Sequence, residues 1–169
     1  MTARFRLAPM SPAIRWLTVG LWLLPPGLGL AGLVTGRPWA VVAFLVLTSL
    51  YGAVWIACRP AGFRVTPAGL EVAFPAWTRS IPAASLAGAR VLSSGDFHRE
   101  FGVALRIGVG GLWGGFGWLW TRRRGLVEFY VSREDGLLLV ERRDGRPLLL
   151  TPDDPRGMAE RLAALAGGR

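Results

Sequence analysis

Two long stretches without a single charge decide most of what this chain can fold into. Residues 16–34 (WLTVGLWLLPPGLGLAGLV) and 38–58 (PWAVVAFLVLTSLYGAVWIAC) are uncharged runs of 19 and 21 residues. About 20 helical residues cross a hydrocarbon core, so each run reads as one transmembrane helix. Pro25 and Pro26 fall mid-run in the first, where they bend the helix and free carbonyls that the neighbouring helix must help satisfy. Only Thr35, Gly36 and Arg37 separate the runs, a linker suited to a tight antiparallel hairpin. A cleaved leader is the competing reading of the first run, with basic residues before it and the small residues Gly29 and Ala31 near its end. The run is longer than the usual leader core of about 7 to 15 residues, which favours a span.

Charge divides the chain at the same place. Residues 1–58 hold four arginines and no acid, whereas residues 59–169 hold sixteen arginines and all eleven acids. Arg4, Arg6 and Arg15 precede the first run and Arg59 and Arg64 follow the second, against Arg37 alone between them. Cytoplasmic flanks carry the excess of positive charge, so both termini are expected in the cytoplasm, at the cell (inner) membrane. The expected organisation is a basic N-terminus (1–15), two transmembrane helices (16–58) and a cytoplasmic domain (59–169). A net charge of +9 attracts phosphates of lipid or nucleic acid. Every basic residue is Arg and none is Lys, however, and Ala, Gly and Pro abound, as a GC-biased genome would give regardless of function. The single cysteine, Cys58, excludes an internal disulfide and supplies too few thiolates for a structural zinc site.

From Gly62 onward short β-like runs alternate with turn residues. Residues 63–66 and 70–74 flank Pro67, Ala68 and Gly69, a hairpin signal. Residues 79–81, 87–92, 101–109, 126–132 (LVEFYVS), 137–142 and 147–150 are the other candidate strands. Pro147 lacks an N–H donor, which places the last of them at or near a sheet edge. Asp154 as N-cap, Pro155 in the first turn and Gly167 as stop mark a terminal helix with Met158, Leu162 and Leu165 on one face. That face would plug the open end of a small antiparallel barrel.

Residues 107–120, IGVGGLWGGFGWLW, raise a sharper question. A phosphate-binding loop needs a lysine that the chain lacks, and the glycine spacing fails the dinucleotide pattern, since Trp113 or Trp120 stands where the third glycine belongs. A third span would have only 14 uncharged residues, six of them glycine. The segment therefore reads as the end of a strand, a glycine bend or bulge, and an aromatic lead into a turn of arginines. Trp113, Phe116, Trp118 and Trp120 beside Arg122, Arg123 and Arg124 are the candidate contact residues, for anionic lipid headgroups or for a partner chain. The alternative is that the aromatics fill the core. Asp96, His98 and Glu100 alternate, so on an extended strand they would face one way, as a metal or proton-transfer cluster requires. A polar loop is the other reading of that segment, because no second histidine or thiolate completes a site. No cofactor, metal or catalytic residue is assigned, and acids interleaved with the arginines speak against nucleic acid.

Several phrases in this order resemble the bacterial pleckstrin-homology-like (bacterial PH domain) membrane proteins: FRVTPAGLEV at 63–72, RSIPAASLAGARV at 79–91, the glycine-rich segment, and DGRPLLLTPDDP at 144–155. The resemblance covers roughly residues 59–166. It implies a PH-like antiparallel barrel or sandwich of about seven strands with a C-terminal amphipathic helix, after a two-helix transmembrane hairpin. It also implies a non-enzymatic interaction or scaffold module that docks a protein partner or self-associates. Eukaryotic relatives bind phosphoinositides through basic residues of the first hairpin loop. Here that loop is TPAG, without positive charge, and only Arg64 lies nearby.

Overall fold

The computed structural model describes residues 2–167. The first apolar run forms two helices in line, α1 (Pro12–Trp22) and α2 (Leu24–Thr35), and the second forms α3 (Pro38–Ala57). Ser11 caps α1, its hydroxyl accepting from the Ile14 N–H, and Pro12 sits in the first turn, where its missing N–H has no helical partner to lose. The break at Leu23 follows from Pro25 and Pro26, which cannot donate back to the preceding turn. The Leu21 carbonyl, four residues before Pro25, accepts instead from the Tyr51 hydroxyl of α3 at 3.1 Å. Gly36, at φ 64°, ends α2 and reverses the chain. α2 and α3 then approach through small residues, with Gly32 and Ala40 buried against each other. Only 17% of an 18-residue apolar stretch in each span is buried inside the chain, whereas the core helix of a soluble protein is mostly buried. Trp16, Leu24, Leu33, Trp39 and Val46 face outward. α1 and α2 taken together (Pro12–Thr35), and α3, are each long and apolar enough to cross a membrane.

The rest of the chain builds two sheets. The first is antiparallel, in the order β1 (Ala3–Arg6), β2 (Gly62–Thr66), β3 (Gly69–Ala73) and β4 (Thr78–Pro82). The second has six strands, in the order β5 (Leu86–Leu92), β9 (Leu137–Arg142), β10 (Leu148–Leu150), β8 (Gly125–Val131), β7 (Gly115–Thr121) and β6 (Ala104–Gly110). Between the sheets lies the main core, formed by Phe63, Leu70 and Val72 facing Phe116, Leu138 and Leu148, with Met158 and Leu162 of α5 (Pro155–Gly167) inserted beside them. A second core, Leu92, Leu119, Phe129 and Leu149 with Phe101, lies on the opposite face of the six-stranded sheet under α4 (Ser94–Phe101). The centre of that sheet is thus covered on both sides. Its strands accordingly read as unbroken apolar runs, LLLV and LLL.

Four expectations need correction. The described residues make ten strands rather than about seven, and β8 pairs with β10 in parallel, so the second sheet is mixed. β10 is central, not an edge: Pro147 stands just before the strand, and its carbonyl accepts from the Glu128 N–H at 2.9 Å, so the missing donor is never needed within the ladder. Phe101 ends α4 instead of opening a strand. The single strand and bend expected over 107–120 are two strands of a tight hairpin, β6 and β7. Gly108 and Gly117 face each other there with φ of 138° and 130°, and a Cβ on Gly108 would lie 2.4 Å from the Phe116 carbonyl oxygen. That close crossing is open to glycine alone. The terminal helix begins where expected, with an Asp154 carboxylate oxygen accepting from the Gly157 N–H at 3.0 Å.

The N-terminal arm holds a strand that its hydropathy does not suggest. β1 pairs with β2 in register from Ala3↔Val65 to Arg6↔Gly62. The Ala8 N–H then donates to the Thr151 carbonyl at 2.9 Å, and the Ser11 N–H to that of Ser132 at 3.1 Å. The chains entering α1 and leaving α3 are therefore hydrogen-bonded neighbours, and the open ends of the helical hairpin stand side by side on the sandwich. Ser132 locks this arm, its buried hydroxyl donating to the Ala8 carbonyl at 2.6 Å while its N–H donates to Thr151 Oγ1 at 2.9 Å. Ser132→Ala is expected to cost about 1–3 kcal/mol, because it strands a buried carbonyl. A thermal melt of the detergent-solubilised full chain should show a lowered Tm, with faster proteolysis confined to the arm.

Candidate functional site

The tip of the β6–β7 hairpin is lodged against the apolar helices. Residues 111–114 carry it, and Thr18, buried on α1, receives it. The Thr18 hydroxyl accepts from the Trp113 N–H at 3.0 Å and lies 2.8 Å from both the Gly111 and Ile14 carbonyls, which share its one proton. A Cβ on Gly111 would lie 3.0 Å from a Leu17 methyl, so the loop backbone rests directly on α1. Trp113 adopts φ 59°, unusual for a side chain of its size, and its ring fills the gap between the two helices, 6.0 Å from Trp22 and 4.7 Å from Trp55. Below it Trp77, in the turn between β3 and β4, donates its indole N–H to the Ala57 carbonyl at the end of α3 at 3.1 Å. The Arg59 guanidinium stacks over Trp55 at 4.3 Å, and its burial draws its pKa down. Sandwich and helices are thus joined at α1, at α3 and through the N-terminal arm.

The aromatic residues singled out in the sequence divide by position. Trp113 is wedged between the helices and Phe116 lies in the main core. Trp118 and Trp120 turn outward, each 45% exposed, opposite Ile107 (45%) and Leu105 (63%) across the strand pair. These four form one apolar face beyond the cover of the first sheet. The strand of Leu105 and Ile107, β6, is a sheet edge.

The arginine triplet is less free than its sequence suggests. Arg124 binds Glu141 at 2.6 Å and Glu100 at 2.7 Å, and the bond to Glu141 raises its pKa further. Arg123 donates to the Arg99 carbonyl. Among the described residues Arg122 alone of the three has neither bond. Asp96, His98 and Glu100 do not assemble either, because they lie on α4 and not on a strand. Ser93 and Asp96 form a capping box, which spends the carboxylate on the helix start, and a turn of 100° per residue carries His98 away from both acids. Glu100 pairs with Arg90 and Arg124, and His98 Nδ1 meets the Ser94 carbonyl at 2.8 Å. Among the described residues no group of three His, Cys, Asp or Glu could hold a metal ion.

One polar centre escaped the sequence reading. Glu128, on β8, is buried and accepts from Arg79 of β4 and from the Tyr130 hydroxyl at 2.7 Å, a charge-assisted tie between the two sheets. It lines a groove of ≈ 300 Å³ whose other walls include Cys58, Phe74, Trp77, Val109 and Trp118. The only sequence signal was an acid inside the apolar run LVEFYV. Alternation places that acid on the same face as Tyr130, inside the main core.

Comparison with protein-family models, with curated proteins and with solved structures found no match.

Two outcomes test this geometry. Thr18→Val keeps the shape but leaves the Gly111 carbonyl and the Trp113 N–H unpaired, and is expected to destabilise the full chain by about 1–3 kcal/mol for each group. Trp113 fluorescence should shift to the red if the ring leaves its slot. The second concerns pH. Burial raises the Tyr130 pKa above its ordinary value of about 10, outweighing the opposing charge of Arg79. The unfolded chain therefore loses this proton first, and the stabilisation present below pH about 10 declines as pH rises towards the folded pKa. Alkaline melts of Tyr130→Phe should lack that part of the decline.

Proposed function

We propose that this chain is a non-enzymatic, membrane-anchored interaction module: a PH-like sandwich at the cytoplasmic face of the cell membrane that docks a protein partner, a second copy of itself included. The observation that carries the reading is the outward apolar face of Leu105, Ile107, Trp118 and Trp120 on an edge hairpin whose tip is fixed between the helices. Four large apolar side chains exposed together are unusual on a monomer and common at docking sites. An edge strand also offers unpaired backbone groups to another chain. The resemblance to bacterial PH-like membrane proteins agrees with two sheets followed by one amphipathic helix, and the arginines flanking the apolar runs favour a cytoplasmic domain. Strands flanking the helical hairpin pair with each other, which fits a two-span protein with both ends on one side.

A second reading has its own observation. Trp118 and Val109 share a groove with Ala57 and Cys58 at the end of α3, so the apolar face starts where a bilayer would end. On that reading Trp118 and Trp120, with Arg122, lie against anionic lipid headgroups. One experiment separates the two. A photo-crosslinking amino acid placed at Ile107 in the full chain, irradiated in native membranes, is expected to give a discrete protein adduct that Trp118→Ser with Leu105→Ser abolishes. Lipid adducts alone would overturn the protein-docking reading in favour of the second.

A further inference from the structure

We propose that the pocket under α4, on the opposite face of the six-stranded sheet, binds an anionic amphiphile, with its phosphate held by Arg106 and Arg133. The pocket has a volume of ≈ 380 Å³, within the range of small-ligand sites. Its floor is apolar, made by Leu119, Phe129 and Leu149, while Arg106, Arg133 and His98 stand on its walls. An apolar floor under a basic rim suits a ligand that is hydrocarbon at one end and anionic at the other.

The two arginines that line the pocket differ from those that carboxylates hold. Arg79, Arg90, Arg99 and Arg124 each have a carboxylate within hydrogen-bonding distance. Arg106 has none among the described residues; its guanidinium lies over the Phe129 ring at 5.8 Å and reaches back along β6 to Gly110. Arg133 keeps a buried Nε without a hydrogen-bond partner, 3.7 Å from an Asp135 side chain that is 80% exposed. A pair so long and so solvated contributes little, and a buried N–H left unbonded has an unmet demand for an acceptor. Guanidinium forks meet phosphate oxygens two at a time. Glu134, also on the rim, opposes an anion, but its side chain is exposed and its backbone carbonyl accepts from the Ser94 hydroxyl at 3.0 Å.

Position adds a source for the ligand. Arg133 follows Ser132, whose carbonyl accepts from the Ser11 N–H at the start of α1, and Gly110 adjoins the tip seated on Thr18. The basic rim therefore stands beside the first turn of α1, at the level where lipid headgroups would meet a spanning helix. A phosphate there could belong to a lipid or be free in solution. The pocket's floor favours the lipid.

Native mass spectrometry of the detergent-solubilised full chain tests this with lysophosphatidic acid, lysophosphatidylcholine and inorganic phosphate. Lysophosphatidic acid is expected to be retained, and the other two to bind at least about tenfold more weakly. Arg106→Ser with Arg133→Ser should lose at least about tenfold in lysophosphatidic acid retention, because two charge-assisted contacts go. Ala104→Trp, which blocks the mouth without removing charge, should do the same, while Arg156→Ser, an exposed position on α5, should change nothing. Equal retention by every variant would overturn the site, and phosphate bound as tightly as the lysolipid would overturn its amphiphilic character. The crosslinking test at Ile107 reads the other face of the sheet, so either proposal can fail alone.

Discussion

Much of the architecture depends on one hydroxyl. Thr18 sits among apolar neighbours on α1 and satisfies the backbone of a loop more than ninety residues away. A loop tip carries amide groups that no sheet ladder completes, and burying them against apolar helices costs more than the contact returns unless each finds a partner. Thr18 supplies an acceptor for Trp113 and a donor for Gly111 from a single side chain. With the backbone satisfied, the Trp113 ring can occupy the gap that the proline break in the first run opens between α1 and α3. The left-handed conformation of Trp113 costs about 1–2 kcal/mol, a strain that the ring contacts with Trp22 and Trp55 offset.

The same joint explains why the hairpin's two faces diverge. Residues near its tip, Val109 and Phe116, turn into the main core, while the pairs Ile107–Trp118 and Leu105–Trp120 extend past the first sheet and remain uncovered. On the reverse face Leu119 lies in the second core beneath α4, and Arg106 stands at its margin. One pair of strands therefore carries an apolar face and a basic margin, and both are held at fixed distances from the helices.

The elements most legible in the sequence were those with a local signal. The uncharged runs gave the helices, Pro67 to Gly69 gave the first hairpin, and Asp154 with Pro155 gave the start of α5. What escaped depends on distant partners. Ala3–Arg6 has no strand pattern of its own and becomes β1 because β2 offers an edge. DFHRE alternates like a strand, yet the Ser93–Asp96 capping box and burial of Phe101 make it a helix, and the cluster expected from alternation dissolves. Arg124 looked like part of a free basic patch because its carboxylate partners, Glu100 and Glu141, lie 17 or more residues away. Of the candidate contact residues, the sequence could not sort Trp113 and Phe116 from Trp118 and Trp120, since strand alternation places Phe116, Trp118 and Trp120 on one side. Only the extent of the opposing sheet decides which of them is covered.

That extent also bounds how deep the sandwich can sit. β6 is an edge, and an unpaired strand edge facing hydrocarbon would leave amide groups without partners at several kcal/mol each. The one part of the hairpin that reaches the level of Tyr51 and Trp55 is its tip, where Thr18 completes the backbone. Further along, Gly108 and Val109 stand beside Cys58, where α3 ends. If α3 crosses a bilayer, the open part of the edge then begins at the headgroup level, where water or another chain can pair with it. The glycine-rich hairpin is thus confined by its own backbone to a narrow depth. With α3 across a bilayer, that depth would put Trp118 at the boundary between lipid and water, the position its ring prefers.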